Sequence, residues 1–353
     1  MLAARYIPGN VSLSLEHVAR PKPAPGEVLL RILACGVCHT DVHVLDSAGK
    51  TFWRESFIMG HEVCGEAVEL GDDAHAELGA LYCVHAISAK KADGDSQTSV
   101  INGGFGVGRD GGYAEYTAVP QDALVRVPQG IPPAVAAVAA DAAVTAYHAA
   151  SNVRTGDRVL VVGVGGLGLM GVKIAVLRGA KEVMACDLRE HARGLAVQAG
   201  ATRSFTPEEL AASIADGTLI VDIVLDFVST AITFHTGRDA LRKVGAEPGG
   251  LGRHVIVGIG NEDVTMNLTD LLISSIQIIP SVYGSKEDLA QVLELINQKK
   301  LVIEVEHFPL KDVNIVLDNL RKGTIRSRAV LIPPDHDATK DSDISNPQTH
   351  SDL

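Results

Sequence analysis

The sequence predicts an α/β protein with a β-rich first part and a doubly wound parallel sheet in the second. Three observations carry this expectation. Up to about residue 145 the chain reads as short β segments cut by turn residues. From about residue 155, continuous apolar strand-like runs alternate with helical patterns, which is how a parallel sheet covered on both faces reads. Between the first of those runs and its helix stands a glycine cluster, Gly163-Val164-Gly165-Gly166-Leu167-Gly168.

The elements follow in order. Val28–Leu33 is strand-like after Pro25-Gly26, and Val63–Leu70 alternates around Gly65 before Gly71-Asp72-Asp73. Asn102–Gly112 is so rich in glycine that it is expected to be loop, and Tyr113–Val119 reads as another strand. Pro132-Pro133 opens an Ala/Val-rich run to Ala150 that suits a buried helix, proline being favoured in a first turn. Five apolar runs then read as strands: Arg158–Val162, Glu182–Asp187, Val221–Phe227, His254–Gly258 and Ile276–Ser281. Leu167–Arg178, Glu190–Ala199 and Thr233–Lys243 are the helices between them, and Glu287–Gln298, Val313–Arg321 and the strand Arg328–Ile332 complete the pattern. Residues 334–353 are polar and acidic without apolar period, a tail expected to be disordered.

Composition narrows the function. The 353 residues are 46% hydrophobic and carry a net charge of -12, from 43 acids against 31 Lys and Arg. Such a surplus repels phosphate backbones and anionic lipid, so neither nucleic acid nor a membrane is an expected partner. Val159–Leu177 is almost wholly apolar, but its glycines and Lys173 fit a strand, turn and helix better than a membrane span. Residues 1–8 lack a signal-like apolar stretch, and the five cysteines form no disulfide framework. A cytoplasmic location is expected.

The glycine cluster follows the G-x-G-x-x-G spacing. Glycines there let the chain turn tightly and let backbone approach a pyrophosphate, while the following helix presents free N–H groups to it. The context is complete: a strand before, a helix after, and a second strand ending in Asp187, nineteen residues past Gly168. An acid at that point accepts from the adenosine ribose and repels a 2′-phosphate, which favours NAD over NADP, although Arg189 and Arg193 lie just downstream. Gly163, Gly165, Gly166, Leu167, Gly168, Asp187 and, at the end of a later strand, Gly258 are therefore assigned to the cofactor.

Cys35-Gly36-Val37-Cys38 is a C-x-x-C, but Cys64, Cys83 and Cys186 are singletons, so a four-cysteine zinc site cannot be completed. The surroundings do not suit a thioredoxin-like motif either. At most one of the pair is a ligand, with partners elsewhere. His39, His61 and Glu62 are candidates, as is Asp141, whose carboxylate sits in an otherwise apolar stretch and needs a counter-charge or a metal.

Five segments occur in order: Gly36-Val37-Cys38-His39-Thr40-Asp41, Gly60-His61-Glu62-Val63-Cys64-Gly65, Gly111-Gly112-Tyr113-Ala114-Glu115-Tyr116, Asp141-Ala142-Ala143-Val144-Thr145-Ala146-Tyr147 and Gly163–Gly168. Together they resemble the zinc-dependent alcohol dehydrogenases of the medium-chain dehydrogenase/reductase superfamily, over about residues 25 to 332. The resemblance implies a GroES-like catalytic domain (1–145 and 285–333) and a Rossmann NAD-binding domain (146–284). It implies Cys38, His61 and Asp141 as ligands of one catalytic zinc, with aspartate where many members have cysteine, and Glu62 as an acid able to reach the metal. It further implies Thr40 beside the substrate oxygen, His43 as proton outlet, and His39 and Arg328 at the cofactor pyrophosphate. Having no cysteine between Cys83 and Cys186, the chain lacks the second, structural zinc of many relatives.

The implied reaction is reversible hydride transfer between a primary or secondary alcohol and NAD, giving aldehyde or ketone. Phe52 and Trp53 suggest an apolar small-molecule substrate, and a homo-oligomer is expected. Two rival readings are a zinc-free quinone or enone reductase of the same superfamily and a non-catalytic nucleotide-binding protein. Metal analysis separates the first, and a screen for alcohol-dependent NADH formation the second.

Overall fold

Strand Glu27–Gly36 buries Val28, Leu29 and Leu30 completely, so its backbone groups need partners on both edges. One edge pairs antiparallel with Glu62–Leu70. The other is shared: Tyr116–Pro120 takes Glu27–Arg31, and Arg328–Ile332 takes Cys35 and Gly36. Leu81–Val84 and Leu124–Arg126 extend this sheet on one side and Val305–Pro309 on the other, making seven strands. A separate three-stranded sheet joins Ser14–His17, Leu2–Tyr6 and Phe57–Ile58. These features come from a computed structural model describing residues 1–46, 55–87, 104–245, 250–260 and 262–334. Phe52, Trp53, residues 88–103 and the tail from 335 lie outside the described residues.

The second large sheet is fully parallel, with six strands. In space they run Arg203–Phe205, Glu182–Cys186, Arg158–Val162, Ile223–Asp226, Gly252–Ile256 and Ile276–Pro280. Chain order reverses between Arg158–Val162 and Ile223–Asp226, and such a switch point opens a crevice at the carboxyl ends of the strands. Helix Gly166–Leu177 packs on the first of these two strands and Ala231–Gly245 on the second.

One nearly continuous helix links the halves. Pro133–Val138 packs on the seven-stranded sheet, while Val144–Ala150 packs on Gly166–Leu177. Alanines at 134, 136, 137, 139, 140, 142 and 143 are buried, and their small side chains let the neighbouring layers approach closely. Between the two helical pieces, Ala139–Ala143 widens into a π turn carrying Asp141. Turns of this kind re-aim a side chain that a regular helix would direct elsewhere.

Several boundaries differ from the sequence reading. The strand expected over Tyr113–Val119 begins at Tyr116, because Tyr113 bonds sideways: its N–H donates to Met59 O and its carbonyl accepts from Ala4 N. The strand expected over His254–Gly258 is Gly252–Ile256, because the N–H groups of Val257 and Gly258 both turn back to Asp226 O. Within the segment expected to be all loop, Gly104–Phe105 and Gly108–Arg109 form a small parallel pair. Sequence periodicity missed helix His39–Asp46, which is too short to show a period, and the capped helix Pro207–Ala215.

Candidate metal and nucleotide site

The register of the seven-stranded sheet builds the first cluster. Gly36 pairs with Glu62, which sets Cys38, just past the end of one strand, beside His61, just before the start of its neighbour. Val37 N–H donates to Ala329 O and fixes the exit of the first strand. The π turn brings in Asp141 from a third part of the chain. One ligand atom each from Cys38, His61, Glu62 and Asp141 lie within 4.8 Å of one another, and all four residues are buried.

Behind this cluster stands Asp41, fully buried in the first turn of helix His39–Asp46. Its carboxylate accepts from Cys38 N–H at 2.9 Å and from the Tyr113 hydroxyl at 2.6 Å, and it lies 3.4 Å from His61 Nδ1. His61 Nε2 therefore faces the other way, 3.6 Å from Asp141 Oδ2. A carboxylate behind one imidazole nitrogen while the other faces a ligand cluster is how metal-bound histidines are held. The sequence reading quoted Asp41 inside a motif but gave it no role. Its one signal was an acid three residues past a candidate ligand, which an exposed helix-start acid also gives.

The electrostatics call for a cation among these side chains. Burial disfavours the His61 charge, yet Asp41, then Asp141 and Cys38, outweigh it and hold its protonation well above the usual histidine range. Burial also works against the Asp141 charge, but His61 and, further off, Arg328 hold its carboxyl at about 2. The Cys38 thiol is pushed up by burial and then by Asp141. His61 Nδ1 and Glu62 Oε2 are buried without a hydrogen-bond partner. One thiol, one imidazole and one carboxylate suit zinc, and three protein ligands leave the open position a catalytic ion needs.

A pH prediction follows. At neutral pH the Cys38 thiol and the His61 imidazolium both hold protons that a metal must displace, whereas Asp141 is already ionised. Zinc titrated into the metal-free protein in weakly buffered indicator should release about two protons per chain, and affinity should rise with pH. Proton uptake, or an affinity that falls as pH rises, would contradict this.

Glu62 is tied up elsewhere. It is fully buried, forms an ion pair with Arg328, and burial raises its carboxyl despite that partner. Arg328 also packs against Gly166 at the start of the cofactor helix, so this pair links the metal cluster to the glycine loop. Sequence reasoning placed Arg328 at the pyrophosphate; its guanidinium pairs with Glu62, and the residue borders a cavity with His39, Gly165, Gly166 and Arg189.

The glycine loop is built as its spacing demands. Gly163 has a φ of 82°, and a Cβ on Gly168 would lie 1.8 Å from Gly163 O, so a larger residue at 168 would push helix and strand apart. Asp187 Oδ2 accepts from Val164 N–H at 2.8 Å, and Oδ1 accepts from Arg189 N–H at 2.9 Å and Nε at 3.1 Å. The acid at the strand end thus fixes the loop and anchors an arginine as well as facing the crevice.

One cavity of about 580 Å³ gathers these parts. Cys38, His39, Thr40, His43, His61, Asp141, Gly163, Gly165, Gly166, Leu167, Gly168, Asp187 and Gly258 all border it, and Arg328 borders an adjoining cavity that shares His39, Gly165, Gly166 and Arg189. Thr40 Oγ1 is 3.6 Å from Cys38 Sγ, and the exposed His43 stands one helical turn further. Residues the sequence reading left out also border the cavity: Thr145, whose hydroxyl donates to Asp141 at 3.4 Å, and the apolar Ile87, Phe105, Val107 and Tyr283.

Residues 24–129 match the alcohol dehydrogenase GroES-like domain family, and residues 166–298 the zinc-binding dehydrogenase family. An alcohol dehydrogenase of Geobacillus stearothermophilus is 32% identical over 335 residues, covering 90% of this chain and 96% of the relative. Among solved structures, acetophenone reductase from Geotrichum candidum in complex with NAD superposes with a TM-score of 0.80 at 32% identity, covering 94% of this chain and 96% of that one. A cobalt- and zinc-bound thermostable alcohol dehydrogenase from Pyrobaculum aerophilum gives 0.80 at 28% identity, covering 94% and 99%. The fold and site thus define a nucleotide-dependent oxidoreductase. The chain belongs to the zinc-type alcohol dehydrogenases of the medium-chain dehydrogenase/reductase superfamily, enzymes that interconvert alcohols and carbonyl compounds.

Proposed function

We propose that this enzyme oxidises a small apolar alcohol with NAD, and reduces the matching aldehyde or ketone, at a single zinc held by Cys38, His61 and Asp141. The observation that carries the reading is that the ligand cluster and the glycine cradle border the same cavity. Bound there, zinc supplies a Lewis acid for the substrate oxygen and NAD a hydride acceptor.

The chain's own residues do the rest. Asp41 fixes the ring of His61, leaving Nε2 free to ligate. Thr40 hydrogen-bonds the substrate hydroxyl and holds its proton next to the cluster. His43, three residues on along the same helix and open to solvent, carries that proton away. The glycine loop and helix Gly166–Leu177 receive the pyrophosphate, with Arg189 adding positive charge and His39, held below the usual histidine range by burial and then by His43, Arg328 and Arg189, adding a ring N–H at the cavity wall. Glu62 and Arg328 brace the two subsites against each other. Ile87, Phe105, Val107 and Tyr283 exclude water and favour an apolar substrate, in keeping with the aryl ketone for which the Geotrichum relative is named.

Residues 1–145 and 285–333 form the catalytic unit and 146–284 the nucleotide unit in this reading. Leu268, Leu272 and Ile273 stand exposed near the edge strand Ile276–Pro280, and an apolar strand edge of this kind supports self-association. Among the described residues no helix is long and apolar enough to cross a membrane, and the five cysteines are free and buried, which fits a reducing cytoplasm. The test is a panel of primary and secondary alcohols with NAD and NADP. Turnover with NAD, at least tenfold better than with NADP by kcat/KM, is the expected result, because Asp187 borders the cavity and would repel a 2′-phosphate. NADH that binds without any alcohol-dependent turnover would favour a non-catalytic role.

A further inference from the structure

His85 is a buried histidine that the dehydrogenase chemistry does not use. Both its ring nitrogens sit on carbonyl oxygens: Nδ1 is 2.9 Å from Ile87 O and Nε2 is 2.8 Å from Gly284 O. A carbonyl oxygen only accepts hydrogen bonds. Each ring nitrogen is placed where an N–H can donate, so the ring bridges the two carbonyls.

The two carbonyls belong to segments far apart in sequence, and each segment borders the substrate end of the cavity. Ala86 and Ile87 lie on one side, Val282 and Tyr283 on the other. Tyr283 adds a second tie, since its hydroxyl accepts from Ala86 N–H at 3.1 Å and donates to Ala140 O. Its ring meets His85 edge-on, with centroids 4.9 Å apart. The turn they hold is strained. Tyr283 has a φ of 56°, unusual for a residue with a Cβ, and a Cβ on Gly284 would lie 2.7 Å from Val144 Cγ2. Such a turn keeps its shape only when neighbours hold it.

We propose that His85 serves as a positioning residue for the substrate wall, its ring tying Ile87 to Gly284. The wall's part in binding substrate rests on the cavity reading above; the bridge made by His85 does not. The titratable groups on the elements packed around it are otherwise engaged. The Cys83 thiol donates to Ala136 O, and Tyr82 accepts from Glu77 N–H. Lys286 donates to Asp122 O, beside Ala123, whose carbonyl takes the His85 backbone N–H. Asp288 is bonded to His148. The ring's polar partners are thus the two carbonyls, one from each segment, and losing the ring nitrogens would untie the wall.

The test follows benzyl alcohol, 2-propanol and ethanol, using the best substrate of the three. His85→Phe, which keeps a ring but offers no N–H, should raise KM about tenfold with a smaller change in kcat, and NADH affinity by fluorescence should stay within about twofold. His85→Gln, whose amide can still donate to a carbonyl, should recover part of the loss. A Phe variant with wild-type KM would overturn the positioning role, and a loss of NADH affinity as large as the rise in KM would mean that the ring holds the fold and not the wall.

Discussion

Replacing Cys38 with alanine is expected to lower kcat/KM for alcohol oxidation by about 10³-fold or more and to leave the purified protein without zinc. In the proposed site the thiolate is one of three donors, and the two that remain, His61 and Asp141, would not complete a catalytic zinc site. The fold should survive, because removing a small side chain at the cavity edge leaves a modest void. NADH affinity, which depends on the glycine loop, should change little. The measurement is metal content beside steady-state kinetics. An alanine variant that keeps most of its activity would show that Cys38 is not a ligand.

The second large effect is expected at Asp41, which touches no substrate. One fully buried carboxylate accepts from Cys38 N–H and the Tyr113 hydroxyl and faces His61 Nδ1, so it fixes the positions of two ligands at once. Asp41→Asn keeps the shape but turns an NH2 group toward groups that are themselves donors. Zinc affinity should fall by about 10- to 100-fold, as for other partners that orient ligating histidines. Stability should fall by about 1–3 kcal/mol, the cost of a buried donor left without an acceptor. Chelator competition and thermal melting read the two effects separately. Unchanged zinc affinity with a lowered melting temperature would mean that Asp41 holds the fold and not the ligands.

The parallel sheet was legible in the sequence because its strands, buried on both faces, read as unbroken apolar runs, and because the Gly163–Gly168 spacing marks one turn with a known purpose. The sheet holding the metal cluster was harder to read. Leu124–Arg126 and Val305–Pro309, at its two ends, are short and partly exposed, so neither alternation nor apolar runs stand out. The residue types of the cluster could be named from the chain, but their meeting depends on a strand register and a π turn. Nothing in Ala136–Val144 signals that turn except an acid among alanines. Asp41 and His85 were beyond reach for a related reason. A buried acid at a helix start looks like an exposed one in sequence, and the two carbonyls that meet His85 are 197 positions apart, as Ala86 and Tyr283 are. The pairing of Glu62 with Arg328 joins residues 266 apart and was equally unreadable from spacing.

The central claim is a single zinc bound by one sulfur and otherwise by nitrogen and oxygen. Zinc-edge X-ray absorption on the purified enzyme, with metal content measured on the same sample, tests it most directly. The account predicts one zinc per chain, with one Zn–S distance near 2.3 Å and its remaining neighbours near 2.0–2.2 Å. A protein free of zinc when prepared without chelator, or a zinc shell of two or more sulfurs, would contradict it.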